Sequence, residues 1–161
     1  MTSSPRISRG SRNEARRYAL KLLSYRSRSL REIIERLNKK GFIPAETERT
    51  VSYLKERGFI EDRALAKELF TNAVERRSLG RTGIRAFLGR RGIDKELINE
   101  TLSIHTRDME MESADRFVKK RLENLKDYPY HVKRRRIRGA LHRRGFSAEV
   151  IREALNHKIE S

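Results

Sequence analysis

Apolar residues recur along the chain at spacings of three and four, the period of an α-helix with one buried face. Ala15, Tyr18, Ala19 and Leu22 form one such stripe, Leu65, Ala66, Leu69, Phe70 and Ala73 a second, and Ala114, Phe117, Val118, Leu122 and Leu125 a third. Each stripe is followed by a shorter pair of apolar faces. Ile33 and Leu37, Ile84 and Leu88, and Ile137 and Leu141 stand one helical turn apart. Beyond a glycine, Thr47 and Val51, Ile98 and Leu102, and Ile151 and Leu155 repeat that spacing. No segment alternates with the period of two that a half-buried strand requires, so the pattern predicts nine helices and no strand.

The same pattern is a threefold repeat. Leu37-Asn38-Lys39-Lys40-Gly41-Phe42 matches Leu88-Gly89-Arg90-Arg91-Gly92-Ile93 and Leu141-His142-Arg143-Arg144-Gly145-Phe146, at spacings of 51 and 53 residues. A module of about 50 residues barely buries a core alone and gains from stacking on its neighbours. The expected fold is all-α, an elongated array of three tandem three-helix repeats. Its boundaries are expected at residues 13–58, 59–105 and 106–161, behind a basic arm over residues 1–12 that is disordered. That arm is rich in Ser and Arg, a composition shared with organellar transit segments, but it lacks their apolar face.

Punctuation supports these elements. Ser29 followed by Glu32 forms a capping box, Pro44 suits a first helical turn, and Asp62, Asp94 and Ser147 are expected N-caps. Gly41, Gly58, Gly80, Gly92 and Gly145 are expected to end helices in the left-handed conformation, with an apolar residue following all but Gly80. In the third repeat's first helix, Glu110, Glu112 and Asp115 come early and Lys119, Lys120, Arg121 and Lys126 late, in harmony with the helix dipole.

Charge changes the picture from architecture to partner. Lys and Arg number 39 against 22 acids among 161 residues, a net charge of +17 that points to a polyanionic partner. The excess is +9 over residues 1–60, +2 over 61–108 and +6 over 109–161, so it is spread through the fold. Cysteine is absent, which excludes disulfides, thiol nucleophiles and cysteine-held metals and fits a reducing compartment. Apolar runs are too short to span a bilayer, and the protein is expected to be cytoplasmic. Chemistry is not indicated either. His105, His131, His142 and His157 lack metal-ligand spacing, and no nucleophile elbow, phosphate-cradling loop or dinucleotide fingerprint is present. Glu61-Asp62 precedes an apolar helix and reads as a cap rather than a catalytic pair. No enzyme and no cofactor are expected.

The candidate contacts are therefore basic. Lys39-Lys40, Arg90-Arg91 and Arg143-Arg144 occupy the same register in each repeat. Cations in a last helical turn are favoured by the dipole by about 0.3 to 1 kcal/mol, so stabilisation alone explains any single pair; recurrence in so basic a chain favours a binding surface. The densest run is Lys133, Arg134, Arg135, Arg136 and, past Ile137, Arg138. Ile137 and Leu141 face the core, which sends Arg135, Arg136 and Arg138 outward, toward solvent or toward DNA phosphate or acidic protein. Tyr25, Tyr128 and Tyr130, at helix ends or in a connection, are candidates for base stacking, whereas Tyr18 fits an apolar stripe.

Several of these segments resemble the RecX regulatory proteins. The run Arg17-Tyr18-Ala19-Leu20-Lys21-Leu22-Leu23, then Arg26, Ser29, Leu30 and Glu32, then Leu37 and Lys40-Gly41-Phe42, is similar to the family's opening repeat. Gly58-Phe59-Ile60-Glu61-Asp62 with Ala66 resembles its most recognisable motif, and Ile84, Leu88 and Arg91 between Gly80 and Gly92 continue the likeness. The resemblance covers residues 14–158. Thr47, where the other repeats carry Ile98 and Ile151, and Leu65, at a site often aromatic, depart from it. The resemblance implies a modular three-helix-repeat protein that binds in the groove of the RecA filament on single-stranded DNA. It implies inhibition of strand exchange, filament growth, ATP hydrolysis and the co-protease activity behind the SOS response. The partner expected is thus the RecA nucleoprotein filament, reached by a monomer; the alternative is an autonomous nucleic-acid-binding repeat protein, which lacks an evident recognition helix.

Overall fold

The computed structural model describes residues 11–159, and the described residues form nine α-helices and no strand. In chain order these are α1 Ser11–Tyr25, α2 Leu30–Lys40, α3 Pro44–Glu56, α4 Asp62–Glu75, α5 Arg81–Arg90, α6 Lys95–Ser103, α7 Arg107–Glu123, α8 Tyr130–Arg143 and α9 Ala148–Ile159. The first ten positions of the expected basic arm lie outside the described residues, and its last two open α1. Chain packing separates two compact units. One holds the described residues up to Leu65 with Arg91–Ile93, the other Ala66–Arg90 and the described residues from Asp94 onward.

In the first unit α1, α2 and α3 pack on one another around Ala15, Ala19, Ile33, Leu37, Leu54 and Ile60. Ser29 caps α2 reciprocally with Glu32: its hydroxyl accepts from the Glu32 N–H at 3.1 Å, and its own N–H donates to the Glu32 carboxylate at 3.1 Å. The Leu30 N–H, also in the first turn of α2, donates to Asp62 Oδ1 at 2.9 Å. Asp62 therefore caps a helix 32 residues earlier, correcting the expectation that it caps its own; that task falls to Glu61, which accepts from the Ala64 N–H at 3.1 Å. Thr47, the polar departure from the apolar stripe, is buried and satisfied by donating to Asn38 Oδ1 at 3.3 Å.

In the second unit α7, α8 and α9 enclose Ala114, Phe117, Val118, Ile137, Leu141, Phe146, Val150 and Leu155, while α5 packs on α6. Asp94, Thr106 and Ser147 accept from the Leu97, Met109 and Val150 N–H groups and start α6, α7 and α9. Gly41, Gly58, Gly92 and Gly145 adopt the expected positive φ. Gly80 does not; the left-handed residue of that loop is Ser78, at φ 47°. Gly80 is required for another reason, since a Cβ there would collide with the backbone of Phe146.

Candidate functional site

Each unit contains a joint built from one basic pair, and the two joints follow one plan. In the first unit the Arg91 guanidinium bridges to Glu32 at 3.2 Å and donates to the Ser27 carbonyl at 2.9 Å, while a Cβ at Gly92 would collide with the Ser29 hydroxyl. Glu32 also pairs with Arg26 at 2.7 Å. Burial raises the Glu32 carboxyl pKa, but hydrogen bonds from Arg26 and the Ser29 N–H, with the charges of Arg91 and Arg26, outweigh it and hold it below the usual carboxylate value.

In the second unit the turn after α8 meets the start of α5. Gly80 N–H donates to the Arg144 carbonyl at 3.0 Å and Thr82 N–H to the Gly145 carbonyl at 3.2 Å. Arg144 donates to the Arg77 carbonyl and lies 4.4 Å from the Phe117 ring centroid; burial, then the charge of Arg121, lowers its pKa. The first N–H of α5, that of Arg81, donates to Glu110 at 3.0 Å, as Leu30 donates to Asp62 51 residues earlier. The Arg81 guanidinium closes the end of α6 through the Leu102 and His105 carbonyls at 2.9 and 3.0 Å. His105 itself is buried, edge-on to Phe70 at 5.7 Å, and burial lowers its pKa against the opposing charge of Glu110.

The basic pairs thus divide between inner and outer members. Arg91 and Arg144 are half-buried in the joints, and Lys40, exposed, places its ammonium 5.8 Å from the Tyr18 ring. Lys39, Arg90 and Arg143 are exposed. Within the polybasic helix the residues are also unequal. Arg134 is half-buried and donates to Tyr130 Oη at 3.3 Å and to Asn156 Oδ1 at 3.1 Å, and Lys133 is half-buried beside it. Arg136 covers the Tyr128 ring at 4.2 Å, occupying one face of a candidate stacking platform. Arg135 and Arg138 are exposed and share a groove of about 640 Å³ between α8 and α9 with Arg134 and Arg143.

Arg152, on α9, joins that groove and was missed by sequence reasoning. Its signal was available in the repeat register, where Arg152 follows Asn99 by 53 residues and faces the α8 arginines across the helix pair. Among the described residues no group of three or more His, Asp or Glu side chains could hold a metal ion, and no helix is long and apolar enough to cross a membrane.

Comparison with known proteins agrees with this architecture. The family model for the first three-helix domain of RecX matches residues 15–54, and that for the third three-helix domain matches residues 108–155. The regulatory protein RecX of Chlorobium phaeobacteroides (strain BS1) is 30% identical over 148 residues, covering 89% of this chain and 92% of the relative. That of Mycobacterium sp. (strain JLS) is 32% identical over 142 residues, covering 85% and 77%. The crystal structure of RecX from Lactobacillus salivarius superposes with a TM-score of 0.76 at 20% identity, over 91% of this chain and 96% of that one.

Proposed function

The chain belongs to the RecX family, and from that premise we propose that it regulates RecA by binding the filament that RecA forms on single-stranded DNA. The reading has it act without catalysis or cofactor, as a cytoplasmic monomer whose three repeats span residues 13–58, 59–105 and 106–161. The observation that carries it is the recurrence of an exposed base, Lys39, Arg90 and Arg143, at one register of every repeat, joined in the third by Arg135, Arg136 and Arg138. The partnered bases Arg91 and Arg144 serve the joints. Contacts repeated along one chain suit a repetitive partner, because each bound repeat raises the effective concentration of the next.

Binding titrated against salt tests the proposal. The protein is expected to bind RecA-coated single strands more tightly than bare strands, with the preference surviving at about 150 mM salt. Equal affinity for both, with the same salt slope, supports the autonomous nucleic-acid binder instead.

A further inference from the structure

The three repeats place side chains at matching positions on the outer faces of their second and third helices, and at two of these positions the third repeat lacks the partner that answers the arginine in an earlier repeat. In the first repeat Arg31 is paired with Glu35 at 2.9 Å. The residues at those positions in the third are Arg135 and Gly139. In the second repeat Arg85 donates across the helix pair to Asn99 at 2.7 Å. Its counterparts are Arg138 and Arg152, two like charges. One partner has become glycine and the other a further cation.

The space left is the α8–α9 groove. Its walls carry Arg135, Arg138, Arg143 and Arg152, and its floor is formed by Ile151, Leu155 and the bare backbone at Gly139. Among the described residues no carboxylate lines it; Glu149 and Glu153 lie in the neighbouring cleft with Arg107, a cleft that Arg152 also borders. Gly139 weakens the interior of α8, and among the described residues no close backbone contact or positive φ requires it. A Cβ there would meet only the flexible end of Arg143, at 3.3 Å. Its effect is to open the α8 ridge so that a foreign backbone or apolar side chain can approach.

We infer that the α8–α9 groove is a docking site for an acidic segment of a partner protein, with apolar side chains seated over Gly139 and carboxylates on either side paired with the arginine forks. This rests on the reading that the polybasic helix faces the partner. The geometry favours protein over nucleic acid. Guanidinium forks take carboxylate and phosphate alike, but single strands are held on aromatic platforms, and among the described residues the only ring lining this groove is the His142 imidazole. An apolar floor between arginine stems suits an amphipathic segment instead.

The test uses the full chain and a labelled acidic peptide of about 14 residues carrying Leu on one helical face, with a Lys-for-Glu counterpart and an oligothymidylate as controls. The acidic peptide is expected to bind at least about tenfold more tightly than the basic one, and excess oligothymidylate should leave it bound. Gly139→Leu, which fills the notch, and Arg138→Glu should each weaken the peptide about tenfold. Gly139→Leu should also melt no lower than the parent, which separates loss of the site from loss of the fold. Failure of the peptide to bind, or equal binding to both variants and the parent, overturns the inference. So does displacement by oligothymidylate, which makes the groove a nucleic-acid site. Retained preference for RecA-coated strands alongside any of these outcomes leaves the functional reading standing, so the two fail separately.

Discussion

The turn that follows α8 and the outer face of α8 itself are a few residues apart and are built on opposite terms. At the turn, the carbonyls of Arg144 and Gly145 accept from the Gly80 and Thr82 N–H groups at the start of α5, and the Arg144 guanidinium finds the Arg77 carbonyl and the Phe117 ring. On the outer face, Arg135 and Arg138 share an open groove with Arg143 and Arg152 and, among the described residues, with no carboxylate. The turn carries a glycine because its own chain leaves no room for a side chain; the groove carries one where its own chain leaves room to spare. Charge satisfied inside the chain is architecture, and charge facing the open groove is what we assign to a partner.

The contrast breaks first at Gly145. Its φ is +78°, and a Cβ would collide with Gly83 N. Gly145→Ala should therefore destabilise by about 3 kcal/mol, the left-handed penalty added to overpacking against backbone, read as a fall in the denaturant midpoint. An unchanged midpoint would mean that the turn and the start of α5 are not locked together.

The corresponding joint of the first unit is tested through Glu32, whose carboxylate completes the capping box and pairs with Arg26 and Arg91. Glu32→Gln should cost about 2 kcal/mol at neutral pH. Because the folded pKa is depressed, the carboxylate's contribution is present above its ordinary value of about 4.3 and is lost as pH falls through the folded value. The stability gap between parent and variant should therefore close on acidification, and a gap constant with pH would assign the loss to shape rather than charge.

Much of the fold was legible because it rests on near neighbours. The apolar stripes, the Ser29 capping box, Pro44 at a helix start, and Gly41, Gly92 and Gly145 at left-handed ends involve residues within about one turn of each other, which the linear pattern records. The joints were not legible, because their partners are distant. Asp62 reaches back to Leu30, Glu110 to Arg81, and Gly80 is fixed by the backbone at Phe146, none of which a local pattern encodes. For the same reason the basic pairs read as uniform. Only packing separates Arg91 and Arg144, held inside, from Arg90 and Arg143, turned outward. Arg152 stood in plain view of the repeat register, but its meaning depends on facing Arg138 across the helix pair where Asn99 faces Arg85.

The central claim is that a partner answers the open charges of the third repeat and not the satisfied ones of the second. The direct measurement is the affinity of two matched charge reversals, Arg138→Glu and Arg85→Glu, for RecA filaments on single-stranded DNA. Arg138→Glu is expected to weaken binding by about tenfold or more and Arg85→Glu by less than about twofold. Equal losses, or the larger loss at Arg85, would contradict the account.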